Sequence, residues 1–170
     1  MKSLKNPKTS LLLIALCLGL TVSMNSFGQK ANFAGTYNLN ESKSNLGDGP
    51  MRPAFAMTVA QDDKTLTTDR KSKGRDGEDR VQTAKYALDG SVTESTGMMN
   101  SVSKSTATWS ADQKSLTIKT TTTFNRDGET MEMKSTEIWT LGADGTLNID
   151  STRETPMGEM KLTLVYDKAK

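Results

Sequence analysis

Five Asp-Gly pairs divide most of this chain into short segments, and they constrain its fold more than any other feature. The pairs begin at Asp48, Asp76, Asp89, Asp127 and Asp144. Asp-Gly readily adopts the positive φ angles that tight hairpin turns need, so each pair predicts a reversal of chain direction. Between the turns apolar and polar residues alternate, which is typical of strands with one buried face. The chain is therefore predicted to be all-β.

The positions of the turns predict ten strands. They are expected near residues 35–40, 54–61, 65–72, 79–88, 91–96, 101–110, 115–124, 129–141, 146–154 and 159–167. Successive hairpins make a meander, and a meander of about eight to ten strands removes its open edges most simply by closing into a barrel. We therefore predict an antiparallel up-and-down β-barrel. A two-layer sandwich is the alternative, although sandwiches usually need longer crossover connections.

The first 28 residues differ in kind from the rest of the chain. Three lysines precede an apolar run over residues 11–22, and small residues lie just before Gln29. A basic start, a short apolar stretch and a small-residue cleavage site are the features of a secretory signal peptide. The apolar run is shorter than the roughly 20 residues that a transmembrane helix needs. We predict that residues 1–28 are a signal peptide and that residues 29–170 form one secreted or periplasmic domain.

Removal of the signal peptide changes the charge and the cysteine content. The full chain has 22 Lys plus Arg and 20 Asp plus Glu, but three lysines leave with residues 1–28, so the mature net charge is −1. That balance gives no reason to expect a nucleic-acid partner. The single cysteine, Cys17, leaves too, so the mature domain has no disulfide. Cys17 loosely fits a lipoprotein signal, but Leu16 stands where a small residue is normally needed, so lipidation is the less favoured alternative.

The beginning of the predicted domain resembles a known group of proteins. Gly35-Thr36-Tyr37 is similar to the Gly-x-Trp signature of lipocalins, with Tyr in place of the usual Trp, within a segment that resembles the opening of small secreted bacterial lipocalin-like domain proteins. The turn phrases after Trp109 and Trp139 are similar to the same group, and the resemblance covers about residues 33–168. It implies an up-and-down barrel that holds a small apolar or amphipathic ligand, and it implies no enzyme chemistry.

Candidate ligand-binding residues follow from the side chains that alternate into the predicted interior. Methionines adapt to varied apolar ligands, although they also fill ordinary cores. Arg70 and Arg153 fall in phase with interior positions, so either could bind a ligand carboxylate through a bidentate contact. Glu137 is in phase as well, and Arg153 could instead pair with it across the hairpin. The candidates are Met57, Leu66, Arg70, Trp109, Ile118, Phe124, Met131, Met133, Trp139 and Arg153.

The sequence contains no recognisable catalytic or metal-binding constellation. The chain has no His, the commonest general base and metal ligand, so a Ser-His-Asp triad is excluded. The densest acidic clusters, at residues 62–63 and 76–79, fall in predicted turns and lack the ligand spacing of a calcium loop. We predict a non-catalytic protein without a metal or a cofactor.

Two functions stay open at this point. A ligand-binding barrel should contain a pre-formed apolar pocket of about 300 Å³ or more. A filled interior would favour a solid-cored β module that acts as a protein-interaction or cell-envelope accessory part.

The mature protein is expected to begin at Gln29. Intact-mass spectrometry of the exported protein should give the mass of residues 29–170 without added lipid, because cleavage removes the segment that contains Cys17. A Cys17→Ser variant should be processed in the same way. Lipid labelling of the wild type that disappears in this variant would instead indicate a lipoprotein.

Overall fold

A computed structural model describes most of the predicted mature domain. The described residues are 29–47, 52–74, 76–97, 100–126, 128–155 and 158–170. The predicted signal peptide, with Cys17, and the turn residues Asp48 and Asp127 lie outside the described residues.

The described residues contain ten β-strands, which confirm the all-β prediction. They are β1 (Gly35–Leu39), β2 (Ala56–Gln61), β3 (Thr65–Lys73), β4 (Asp79–Ala87), β5 (Thr93–Thr96), β6 (Val102–Trp109), β7 (Ser115–Arg126), β8 (Glu129–Leu141), β9 (Leu147–Thr155) and β10 (Gly158–Lys168). A short 3-10 helix, Glu41–Lys43, follows β1, and the Asn40 side chain caps it by accepting a hydrogen bond from the Lys43 N–H. Within the described part of the chain, no helix has the length and apolar character to cross a membrane.

The strands form one antiparallel sheet that closes almost completely on itself. Their spatial order is β4-β3-β2-β1-β10-β9-β8-β7-β6-β5. All sequential strands except β4 and β5 are hydrogen-bonded neighbours. The pairing of β1 with β10, in which Tyr37 lies opposite Lys168, joins the two ends of the domain. Among the described residues, β4 and β5 form no ladder with each other, so they are the edges of a seam. The predicted up-and-down barrel is confirmed as a nearly closed one.

The turn chemistry seen in the sequence operates in the structure. Gly77, Gly90 and Gly145 each follow an Asp and have φ angles of 83°, 84° and 82°, the left-handed region that glycine adopts without strain. Asp144 Oδ1 accepts a hydrogen bond from the Thr146 N–H at 3.1 Å, which fixes its turn locally. The turn between β6 and β7 has no glycine, and there Gln113 takes a φ of 58°.

One end of the barrel is packed with apolar side chains. They lie next to the turns that join β2 to β3, β6 to β7 and β8 to β9. The buried residues at this end include Leu66, Leu88, Leu116, Trp139 and Leu147. Since each would expose apolar surface if that end were open, close packing here supplies much of the hydrophobic stabilisation of the barrel.

The chain segment before β1 closes this end, which we call the capped end. Phe33 is fully buried, stacked on Trp109 with ring centroids 5.9 Å apart and edge-on to Trp139 at 5.7 Å. Its N–H donates to Gln61 Oε1 at 2.9 Å, and its carbonyl accepts from the Tyr37 hydroxyl at 3.0 Å. The aromatic contacts and the hydrogen bonds together fix the segment across the barrel.

Replacing Phe33 with Ala should destabilise the protein by about 3–5 kcal/mol, the usual cost of removing a buried Phe side chain. Urea unfolding followed by tryptophan fluorescence measures this change, because both tryptophans contact Phe33. The control is Val81→Ala, at a position where the side chain is exposed, and it should change the stability by less than about 0.5 kcal/mol. Equal stabilities for the two variants would contradict a structural role for the cap.

Candidate ligand-binding site

The inward side chains change from apolar to polar with distance from the capped end. Every second residue of a strand faces inward, so these residues show how the polarity of the interior changes from one end of the barrel to the other. On β9 the inward series is Leu147, Ile149, Ser151 and Arg153. On β3 it is Leu66, Thr68 and Arg70. A polar layer therefore lies inside the barrel beyond the apolar packing.

A bidentate ion pair forms the centre of this layer. Arg70 Nη1 donates to Glu137 Oε1 at 2.8 Å, and Arg70 Nη2 donates to Glu137 Oε2 at 2.6 Å. The two side chains are only 22% and 12% exposed. In the sheet, β2, β1, β10 and β9 lie between β3 and β8, so the pair crosses the barrel interior. Trp139 supports it, because its indole N–H donates to Glu137 Oε2 at 3.0 Å and its ring lies 5.6 Å from the Arg70 guanidinium.

Opposing effects act on the charges in this layer. Burial raises the pKa of Glu137, but the charge and hydrogen bonds of Arg70 lower it more, and the pKa of Glu137 lies well below its usual range. Burial disfavours the Arg70 cation, yet Glu137 keeps the pKa of Arg70 above its ordinary value. Burial raises the pKa of Tyr166 to about 12. At neutral pH the layer therefore contains ionised Glu137 and Arg70 and a neutral Tyr166.

Arg153 brings a second guanidinium to the same layer. It follows Ser151 on β9 and lies opposite Ser135 of β8, whereas Ser151 lies opposite Glu137. Burial is the largest influence on Arg153 and lowers its pKa; the neighbouring Arg70 charge lowers it further, and Glu137 opposes both. The sequence suggested an Arg153–Glu137 pair across the hairpin. The bidentate partner of Glu137 is Arg70, which reaches it from the other side of the barrel.

A cavity of about 230 Å³ lies against this layer. Its charged lining consists of Arg52, Arg70, Arg153 and Glu137, and Leu162 and Leu164 of β10 form an apolar wall. Tyr166 also lines it and donates a hydrogen bond to the carbonyl of Ala54 at 2.9 Å, which ties the connection between β1 and β2 to the barrel. The cavity thus combines an excess of positive charge with apolar surface.

Two buried polar atoms of the lining have no hydrogen-bond partner among the described residues. They are Ser151 Oγ and Arg70 Nε. Ser151 is 3% exposed, and its hydroxyl can both donate and accept. Because buried polar groups almost always have partners, these atoms favour a polar group, from water or from a ligand, inside the cavity.

The structure separates the ten predicted ligand-binding residues into groups. Two of them line the cavity: Arg70 and Arg153. Four are buried in the packed core: Met57, Leu66, Ile118 and Trp139. Trp109 is partly buried against Phe33 at the capped end. Three are partly exposed on β7 and β8: Phe124, Met131 and Met133.

The cavity is smaller than the apolar pocket of about 300 Å³ expected for a ligand barrel, and part of its lining is charged. Sequence reasoning missed Ser151, Tyr166 and Arg52 as lining residues. Ser151 could have been found, since it falls between Ile149 and Arg153 in the same period of two. No signal marked Arg52, because it lies in a connection outside the strands.

Asp62, in the first of the acidic turn clusters, binds the backbone of its own turn. Asp62 Oδ1 accepts hydrogen bonds from the N–H groups of Lys64 and Thr65 at 2.8 and 2.7 Å, and these bonds lower the pKa of Asp62. In the part of the chain that the structure describes, no three acidic, His or Cys side chains group closely enough to bind a metal ion.

Comparison with known proteins gives a fold but no family. No protein-family model matches the chain, and no curated protein sequence matches it. Among solved structures, the zebrafish ileal bile acid-binding protein, crystallised with cholic acid, is similar with a TM-score of 0.54. The similarity covers 81% of this chain and 98% of that protein at 13% sequence identity. At this identity it shows the lipocalin-like barrel fold alone.

Removing one partner of the buried ion pair should be costly, because the remaining charge is left buried without compensation. Arg70→Met is expected to destabilise the protein by about 3–5 kcal/mol at pH 7, measured by urea unfolding. The double variant Arg70→Met/Glu137→Leu should recover most of that loss, since it leaves neither charge unpaired. A double variant no more stable than the single one would contradict this account.

The destabilisation caused by Arg70→Met should depend on pH. The pKa of Glu137 is lowered in the folded protein, so the pair stabilises above the unfolded value near 4.3, and this stabilisation is lost as the pH falls through the folded value. The difference in free energy of unfolding between wild type and Arg70→Met, measured by urea unfolding, should therefore shrink as the pH is lowered from about 5 to 2.

Proposed function

We propose that this protein binds a small amphipathic molecule with an anionic head group inside the barrel and does not convert it chemically. The observation that carries the proposal is the cavity in which three arginines and one glutamate lie next to Leu162 and Leu164. The head group would lie on the charged layer and the apolar part of the ligand against β10.

The charge of the cavity favours an anion. With Arg52, Arg70 and Arg153 against Glu137, the charged lining has an excess of two positive charges. Arg52 is exposed, whereas Arg70 and Arg153 are partly buried, where water weakens their attraction to an anion less. A carboxylate, sulfate or phosphate fits this charge, and the planar guanidinium group is suited to bind such groups through paired hydrogen bonds.

The volume limits how much of a ligand can be enclosed. At about 230 Å³ the cavity lies below the roughly 300–1,000 Å³ of sites that enclose drug-sized molecules. We infer that it holds the head group and a short apolar segment. The rest of a longer chain would extend towards the end opposite the cap.

Fold similarity supports the class of ligand. The zebrafish protein, which has a similar fold, is a bile acid-binding protein and was crystallised with cholic acid, an amphipathic carboxylic acid. The signal peptide predicted from the sequence adds the proposal that binding takes place outside the cytoplasm, in the periplasm or the surrounding medium.

A second candidate function is a solid-cored β module that binds another protein. The observation that favours it is the packing of the capped end. Aromatic and aliphatic side chains fill the interior there and leave no space for an apolar ligand. The charged cavity next to this packing supports ligand binding as the first candidate.

Calorimetric titration with decanoate tests the proposed function. Wild type should bind decanoate, and Arg153→Gln should bind it about tenfold or more weakly, because a charge-assisted hydrogen bond to the head group is lost. Lys161→Gln removes the same charge from an exposed position on β10 and should leave the affinity unchanged.

Two outcomes would count against the proposal. Decanoate that binds neither protein would favour the β module. Equal binding by wild type and Arg153→Gln would show that this arginine does not contact the head group.

A further inference from the structure

The Arg70 guanidinium already holds a carboxylate that belongs to the protein. Both of its terminal nitrogens bind Glu137, at 2.8 and 2.6 Å, and only Nε has no partner among the described residues. Resting on the proposed function, we infer that Glu137 is an internal competitor for the anion site. It sets the selectivity between anionic and neutral amphiphiles and couples the binding of anions to proton uptake.

Strand register places a bound anion next to Glu137. Ser151 lies directly opposite Glu137 in the β8–β9 ladder, and side chains paired in this way have Cβ atoms about 4.5–5.5 Å apart. Arg153 is the next inward residue on β9 and lines the same cavity. An anion bound to Ser151 Oγ and Arg153 therefore lies beside the Glu137 carboxylate.

The bound anion and the ionised Glu137 carboxylate are like charges, and neighbouring like charges repel each other strongly where water is scarce. The repulsion is relieved when Glu137 takes up a proton or gives up Arg70 to the ligand. A neutral amphiphile in the same cavity causes no such repulsion. Glu137 thus weakens the binding of anions and leaves the binding of neutral molecules unaffected.

Glu137 is the group in this layer that can accept the proton. It is surrounded by Arg70 from β3, Arg153 from β9, Tyr86 from β4 and Tyr166 from β10. The arginines stay protonated under ordinary conditions. Burial raises the pKa of both tyrosines, so they are already neutral at pH 7 and have no proton to gain. Proton uptake in the acid range therefore falls to the carboxylate.

The test compares two ligands with the same chain by isothermal titration calorimetry. Octanesulfonate stays ionised at every pH used, and octanol is neutral. From pH 7 to pH 4, wild type should bind octanesulfonate about three- to tenfold more tightly and take up protons, read from titrations in two buffers of different ionisation enthalpy. Octanol binding should not change with pH.

The variant Glu137→Gln keeps the shape of the side chain and an acceptor for Arg70, but it removes the negative charge. At pH 7 it should bind octanesulfonate about tenfold more tightly than wild type, and the extra gain at pH 4 should disappear. Glu154→Gln is the matched control, because Glu154 is exposed on the same strand as Arg153, and it should behave like wild type.

The outcomes separate the two proposals. If neither ligand binds, the proposed function fails. If octanesulfonate binds wild type and Glu137→Gln equally at pH 7, without proton uptake, ligand binding stands and the role of Glu137 is overturned. If Glu137→Gln does not fold, proton uptake by wild type in the two buffers still decides, because its absence overturns the inference.

Discussion

The ion pair between Arg70 and Glu137 joins β3 to β8 across the interior, and its position divides the barrel into two parts. On one side, towards the capped end, the space is filled by Phe33, Trp139 and the aliphatic residues around them. On the other side, buried charge prevents apolar side chains from closing the space, and a cavity remains. Trp139 belongs to both parts, since its ring packs on Phe33 while its N–H binds Glu137. The packing of the cap and the geometry of the charged layer therefore depend on each other.

The fold was largely predictable from the sequence because its determinants are local. Turn-forming residues, Asp-Gly pairs among them, and the period of two place all ten strands to within two residues at each end. Closure of the barrel followed from the difficulty of leaving strand edges open. The seam between β4 and β5 was not predicted, because no local signal distinguishes a turn between paired strands from a connection between unpaired ones. The buried position of Phe33 was not predicted either, since it lies before the first strand and its partners are distant in the sequence.

The candidate site was predicted only in part, and the reason is physical. Alternation shows that Arg70, Glu137 and Arg153 face inward, but not which of them meet, because residues 70 and 137 come together only when the sheet curves round. Alternation also cannot separate a core residue from a pocket residue, since both are apolar and inward. Met57, Leu66 and Ile118 satisfy the same pattern whether they touch a ligand or one another, and in the structure they are buried in the core. The packing of side chains from distant strands decides between these cases, and alternation along the sequence does not predict that packing.

A purely structural role does not explain the charged layer well. Replacing a buried ion pair by apolar residues of similar volume is often neutral or stabilising, so stability alone favours a barrel filled from end to end. This chain instead places three arginines, one glutamate and a serine hydroxyl that has no hydrogen-bond partner among the described residues around a cavity, next to a closely packed half. The packed half can supply the stability that the layer requires, and under the proposed function the layer would select ligands by charge. In that proposal, stabilisation and recognition lie at opposite ends of the same ten strands.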